Sequence, residues 1–200
     1  MKKSDSLKCV IVLFLIMTIA GGLLAILNDV LFVSPTERLN RAVQKVYGTA
    51  VTATEIENEY SCDYGTIENT YYFNDAGKDY LLFKSTGNQG YKNGTVTLWI
   101  LVSCKATPVD NNVIVKESAD SLQKVVLDGY DKQTLMSALT GEFYGAYAEL
   151  DIDEIKDGKL VTVNQNDNNF TNVVSGATKS CNAANNAVNT VLLYLWGASV

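Results

Sequence analysis

The chain has 200 residues, 47% hydrophobic and 19% charged, with a net charge of −6; that is room for one anchor and one globular domain of about 170 residues whose core needs no disulfide staples. An acidic balance with singly scattered Lys and Arg argues against a nucleic-acid partner. There is no histidine, which excludes the usual serine-hydrolase triad, histidine-ligated zinc and imidazole acid–base chemistry.

In chain order, the first feature is Cys9 to Leu27, an uncharged apolar run of 19 residues, which as a helix covers about 28 Å and matches a bilayer core. Asn28-Asp29 follows it, with no small-x-small cleavage site, so a retained anchor is expected in preference to a removed signal peptide. Lys2, Lys3 and Lys8 against Asp5 make the leading flank basic; the N-terminus is therefore expected in the cytoplasm and the remainder outside.

Ser34-Pro35-Thr36-Glu37 combines a capping box with proline at the first helical position, and Leu39, Ala42, Val43, Val46 and Tyr47 recur at helical spacing up to Gly48. An amphipathic helix is expected there, its apolar stripe used for packing.

Beyond Val51 the texture turns β-branched and aromatic. Strands are expected at Val51–Ile56, Thr70–Phe73, Tyr80–Lys84, Thr95–Lys105 and Val113–Lys116, with turns at Asn74–Gly77 and Pro108–Asn112. Leu98 to Val102 is continuously apolar, the signature of a strand buried on both faces. Residues 117–140 read as mixed, with a short helix around Asp131–Leu139.

Asp151, Asp153, Glu154 and Asp157 lack the spacing of a calcium loop and read as a solvated acidic turn. Two Asn-x-Thr sequons, at Asn93 and Asn169, are read as coincidence. The cysteines, Cys9, Cys62, Cys104 and Cys181, contain no C-x-x-C pair, which disfavours zinc ribbons and thioredoxin-type chemistry; Cys62 and Cys104 are either paired in an oxidising compartment or separate buried thiols.

The last helix is expected from Lys179 to Trp196, with Ala184, Ala187, Val188, Val191, Leu192 and Leu195 on one face and Asn182, Asn185, Asn186 and Asn189 mostly on the other. Ser175-Gly176-Ala177-Thr178 immediately precedes it. These are small residues with two hydroxyls at a helix N-terminus, where free N–H groups and the helix dipole favour an anion such as phosphate. Equally, Ser175 is a good N-cap type, and the motif reads just as well as a plain helix start.

A single N-terminal span, an outward-facing domain and Ser-Gly-Ala-Thr opening the C-terminal helix together resemble the FMN-binding domain family, in particular the G subunits of Rnf-type electron transport complexes, related to the C subunit of the sodium-translocating NADH:quinone oxidoreductase. Gly90-Tyr91-Lys92-Asn93-Gly94 looks like the family's Gly-Tyr-Gly-Gly segment, and Glu117 to Leu122 looks like its Glu-Thr-Pro-Gly-Leu-Gly loop, here without the Pro and Gly. Asn172 stands where the family commonly has Asp.

The resemblance implies FMN joined by its phosphate to Thr178 through the action of a flavin transferase, with Ser175, Gly176, Ala177, Ser180, Gly90, Tyr91, Glu117 and Leu122 around the cofactor, and Thr178 serving as tether and not as a nucleophile in turnover. It implies partnership with other membrane subunits of an Rnf-like complex and electron relay coupled to ion translocation. Elements and resemblance together give an α+β fold: residues 1–8 cytoplasmic, 9–27 transmembrane and in contact with lipid, 28–48 an amphipathic connecting helix, and 49–200 an extracytoplasmic FMN-binding domain with a largely antiparallel sheet flanked by helices. A stand-alone anchored flavin carrier and a flavin-free anchored binding domain are the alternatives; a covalent flavin separates the last of these from the others.

Overall fold

A computed structural model describes residues 3–31, 34–56, 59–110, 113–150, 161 and 174–197, with side chains at these positions except 3–7, 9, 25–26, 28–31, 35, 38, 107–110, 113–118 and 149. The chain divides into two compact units, Met1–Arg38 and Leu39–Val200.

In the first unit, α1 runs Lys3–Leu31, and its large apolar side chains from Val10 to Leu24 are exposed. Among the described residues no helix is long and apolar enough to cross a membrane. Cys9, Ala25 and Ile26, which belong to the span expected over 9–27, lie outside the described side chains.

Helix α2, Pro35–Tyr47, begins as its capping box dictates, the Glu37 N–H donating to Ser34 Oγ at 3.1 Å. It stops at Gly48, whose φ of 96° suits a residue without Cβ at the position after a helix.

The second unit is built on one antiparallel sheet. Its strands are β1 Thr54–Ile56, β2 Tyr60–Cys62, β3 Gly65–Asp75, β4 Lys78–Gly87, β5 Val96–Asp110 and β6 Val113–Tyr130. They lie in the order β1-β3-β4-β5-β6, with β2 also paired to β3. At the β3–β4 hairpin, Ala76 and Gly77 have φ of 50° and 79°, the pair of left-handed residues a tight two-residue turn needs. The last strand corrects the sequence reading most. β6 extends far beyond Lys116, because residues 113–130 find continuous partners along β5, accommodated by several register shifts; a long hairpin satisfies backbone groups that the mixed side-chain pattern does not advertise. The helix expected around Asp131–Leu139 is only a 3-10 turn, Met136–Ala138, followed by the short helix α3, Gly141–Gly145, and another 3-10 turn, Ala146–Glu149.

The apolar run of β5 divides between two cores. Leu98, Ile100 and Val102 face a cluster shared with the C-terminal helix α4, Thr178–Trp196. Trp99 and Leu101 face a second cluster with Val43 and Val46 of α2. Each side chain from Leu98 to Val102 therefore packs in a core, whichever way the pleat turns it. On the α2 side, Phe73 stacks on Tyr80 at 5.2 Å, Tyr47 meets Phe73 edge-on at 5.0 Å, and the Tyr47 hydroxyl donates to Asp75 at 2.6 Å.

Helix α4 is buried nearly all round, including most of the face on which the asparagines were expected. Asn185, Asn186 and Asn189 are all buried. The amides of Asn186 and Asn189 serve backbone groups, Asn186 Nδ2 donating to the Asn88 carbonyl at 2.9 Å and Asn189 bonding Val161, while Asn185 Oδ1 accepts from the Tyr147 hydroxyl at 2.6 Å. Periodicity counts Asn as polar, but an amide that finds hydrogen-bond partners, as those of Asn186 and Asn189 do, is admitted to the interior.

Candidate functional site

The chain reaches α4 through a turn in which the Ala177 N–H donates to the Val174 carbonyl at 2.9 Å and Gly176 takes φ of 81°. A positive φ at the third turn position calls for glycine. The helix then begins at Thr178, with Ala177 as its N-cap and no side-chain capping bond. Ser175 is thus not the cap expected from its type; it stands exposed in the preceding turn. Because the Ala177 carbonyl already accepts from Cys181 at 2.9 Å, the N–H groups of Thr178, Lys179 and Ser180 fall among the first-turn donors that a helix leaves without internal acceptors.

These residues line one wall of a cleft of about 210 Å³, with Gly176, Ala177, Thr178, Lys179 and Ser180 on one side and Tyr91, Thr134 and Leu135 on the other. Thr178, Lys179, Tyr91 and Leu135 are exposed, whereas Ala177 and Ser180 are buried beneath. Tyr91 and Thr178, singled out separately in the sequence, meet at this cleft. Burial pushes the Cys181 thiol, one turn below, above its ordinary pKa, against the opposing effect of backbone N–H bonds.

Gln133 ties the two walls together. Its Oε1 accepts from Ser180 Oγ at 2.8 Å and from the Tyr91 N–H at 3.1 Å, while Nε2 donates to the Asp131 carbonyl at 3.1 Å. Gly90 and Gly94 leave room for that amide: a Cβ on either would stand 2.4 or 2.6 Å from Nε2. Across the loop, the Gly90 N–H donates to the Gly94 carbonyl at 3.0 Å.

The described non-glycine residues with positive φ concentrate here. Ala76 belongs to the hairpin, but Gln89, Lys92, Asn93 and Lys132 all lie in the two segments that meet at Gln133. Left-handed backbone in such residues costs about 1 to 3 kcal/mol each and persists only where surroundings impose it. Lys92 also places its ammonium 5.4 Å from the Tyr91 ring centre, within cation–π reach.

Other expected contacts lie elsewhere. Glu117 to Leu122 are in strand β6 and not in a loop; Leu122 packs in the α4-side core opposite Val102, away from the cleft lining, and the Glu117 side chain is outside the described set. Cys62, Cys104 and Cys181 are not joined in disulfides, so the Cys62–Cys104 pair is not formed. Asn172 and the acidic residues 151–157 lie outside the described residues, and among the described residues no cluster could hold a metal ion.

Sequence reasoning missed Gln133, Thr134 and Leu135. They follow β6 with no periodicity or motif of their own, and the neighbouring mixed composition carries no signal that could have found them. A larger apolar hollow of about 420 Å³, between Gln123–Leu127 of β6 and Gly141, Tyr144, Gly145 and Ala148, contains none of the residues expected at the site. No family model, curated protein or solved structure matches the chain.

Proposed function

We propose that this chain is an electron-transfer flavoprotein subunit of a membrane-bound Rnf-like complex, carrying FMN on Thr178 and relaying electrons in a process coupled to ion translocation. The observation that carries the reading is the meeting of Tyr91 with Thr178 in one cleft, from stretches far apart in sequence that were each singled out for the same cofactor. The donor set suits a phosphoester: an exposed threonine hydroxyl, first-turn N–H groups, the positive end of the α4 dipole and Lys179 at the rim. At about 210 Å³ the cleft is smaller than the roughly 300 Å³ of a pocket that encloses a whole ligand. It would take the phosphate end of FMN, with the exposed Tyr91 and Leu135 side chains available to the rest of the cofactor.

Bound FMN would supply the redox chemistry; the residues of this chain tether it, orient it and set its electrostatics. Thr178 holds the phosphate, Gly176 keeps the approach open, and Tyr91 borders the ring. Membrane attachment belongs to the same proposal and rests on the uncharged run from Cys9 to Leu27, which lies within the bounds of α1. The basic residues ahead of that run favour a cytoplasmic N-terminus.

The test is co-expression of the full chain with a flavin transferase, followed by denaturing electrophoresis and peptide mass analysis. One FMN mass on the peptide containing Thr178, lost in Thr178→Val, is the expected result. No flavin, or flavin retained in Thr178→Val, overturns the site. Co-purification with membrane-embedded subunits after mild detergent extraction supports the complex, and purification without them favours the stand-alone carrier.

A further inference from the structure

We propose that Gln133 is the positioning residue of this site, fixing where the Tyr91 ring stands relative to the Thr178 hydroxyl. The inference rests on the flavin-attachment reading and adds to it a residue that belongs to neither the helix-start motif nor the tyrosine loop.

The amide is used on both sides. The Tyr91 N–H can only donate, so the atom 3.1 Å from it must be the side-chain oxygen, and this settles the orientation of the Gln133 amide. With that orientation, the Ser180 hydroxyl acts as donor to the same oxygen at 2.8 Å. One oxygen therefore joins the first turn of α4 to the backbone of the tyrosine loop. The amide nitrogen faces the carbonyls of Asp131 at 3.1 Å and Tyr91 at 3.5 Å. Gln133 is itself buried, so losing any of these partners would strand polar groups away from water.

Shape points the same way. The amide nitrogen would collide with a Cβ on either Gly90 or Gly94, the tyrosine loop carries left-handed Gln89, Lys92 and Asn93, and left-handed Lys132 precedes Gln133. Backbone of that kind relaxes unless anchored, and Gln133 supplies an anchor that spans both walls of the cleft. Release of the loop leaves Thr178 on its helix but frees Tyr91 to move.

The experiment compares wild type, Gln133→Ala, Gln133→Glu and Ser180→Ala in the full chain. Amide hydrogen exchange is followed on the unflavinylated protein; the initial rate of FMN attachment and the fluorescence per attached flavin are measured with the transferase. Gln133→Ala is expected to speed exchange at Tyr91 and to slow attachment by about tenfold each, the size of one lost buried hydrogen bond. Gln133→Glu keeps an acceptor for Tyr91 and Ser180 and is expected to restore Tyr91 protection in part. Fluorescence per flavin changes in Gln133→Ala as Tyr91 leaves the ring, a readout that lost stability alone would not move.

A wild type without flavin overturns the attachment reading, and the positioning role with it. Labelled wild type, with Gln133→Ala matching it in exchange, rate and fluorescence, overturns the role alone. If Gln133→Ala does not fold, Ser180→Ala decides, because it removes a single bond: faster exchange at Tyr91 supports the role, and unchanged exchange and attachment overturn it.

Discussion

Asn189 completes a closed pair of hydrogen bonds with the backbone of Val161: its Oδ1 accepts from the Val161 N–H at 2.8 Å and its Nδ2 donates to the Val161 carbonyl at 2.9 Å. Asn189 thus stands in for a neighbouring strand, and both Asn189 and Val161 are buried. Asn189→Ala leaves two backbone groups without partners at about 1 to 3 kcal/mol each. The expected loss, roughly 2 to 6 kcal/mol in total, is read as a lower midpoint in urea with little change in slope.

At Gly87, β4 passes close against the backbone of α4. A Cβ there would stand 2.0 Å from the Ala183 carbonyl oxygen and 2.3 Å from the Ala187 nitrogen, both backbone atoms that cannot swing aside. Gly87→Ala is therefore expected to destabilise by about 3 kcal/mol, at the upper end of overpacking costs. Gly77→Ala offers a contrast, since open space surrounds its Cβ position and only its φ of 79° opposes a side chain; a smaller loss in thermal or urea denaturation is expected there.

Tyr71 and Tyr144 are pushed up to about 12, chiefly by burial, and Tyr72 to about 12 by burial and then by its bond to Asp79. An unfolded tyrosine titrates near pH 10. Between about pH 10 and 12 the folded state holds protons that the unfolded chain has released, so the stability these groups contribute is intact below pH 10 and falls as pH rises through that window. Tyrosinate absorbance and circular dichroism should change together there. The Tyr144 hydroxyl is buried and has no hydrogen-bond partner among the described residues; Tyr144→Phe is expected to leave neutral-pH stability unchanged or raise it by about 1 kcal/mol, while weakening the alkaline decline.

Thiol labelling should separate the cysteines of the domain. Cys62 is half-buried on the short strand β2, whereas Cys104 and Cys181 are buried and the Cys181 thiol is held protonated by its surroundings. In native protein Cys62 is expected to react first with an alkylating reagent, and the other two only after denaturation. Simultaneous modification of all three under native conditions would contradict the packing of α4 against the sheet.

Local chemistry was enough to identify several elements. Ser34 with Glu37, the Gly48 stop, the Ala76-Gly77 turn, the two-faced run of β5 and the final helix each depend on neighbours a few residues away, and each was legible in the chain. Ser175 to Thr178 was legible as a possible anion site for the same reason, as small residues and hydroxyls at a helix start, whereas Tyr91 was singled out only by the resemblance of its segment to a family motif.

Other features required distant partners. The length of β6 is decided by β5, the burial of Asn186 and Asn189 by the backbone segments they satisfy, and that of Asn185 by the Tyr147 hydroxyl it accepts from. Leu122 became core because its strand register turned it toward α4. Gln133 shows the limit most clearly: a glutamine after a strand carries no signal alone, and only the tertiary fold brings its amide between Ser180 and the Tyr91 backbone, where a single oxygen can hold both.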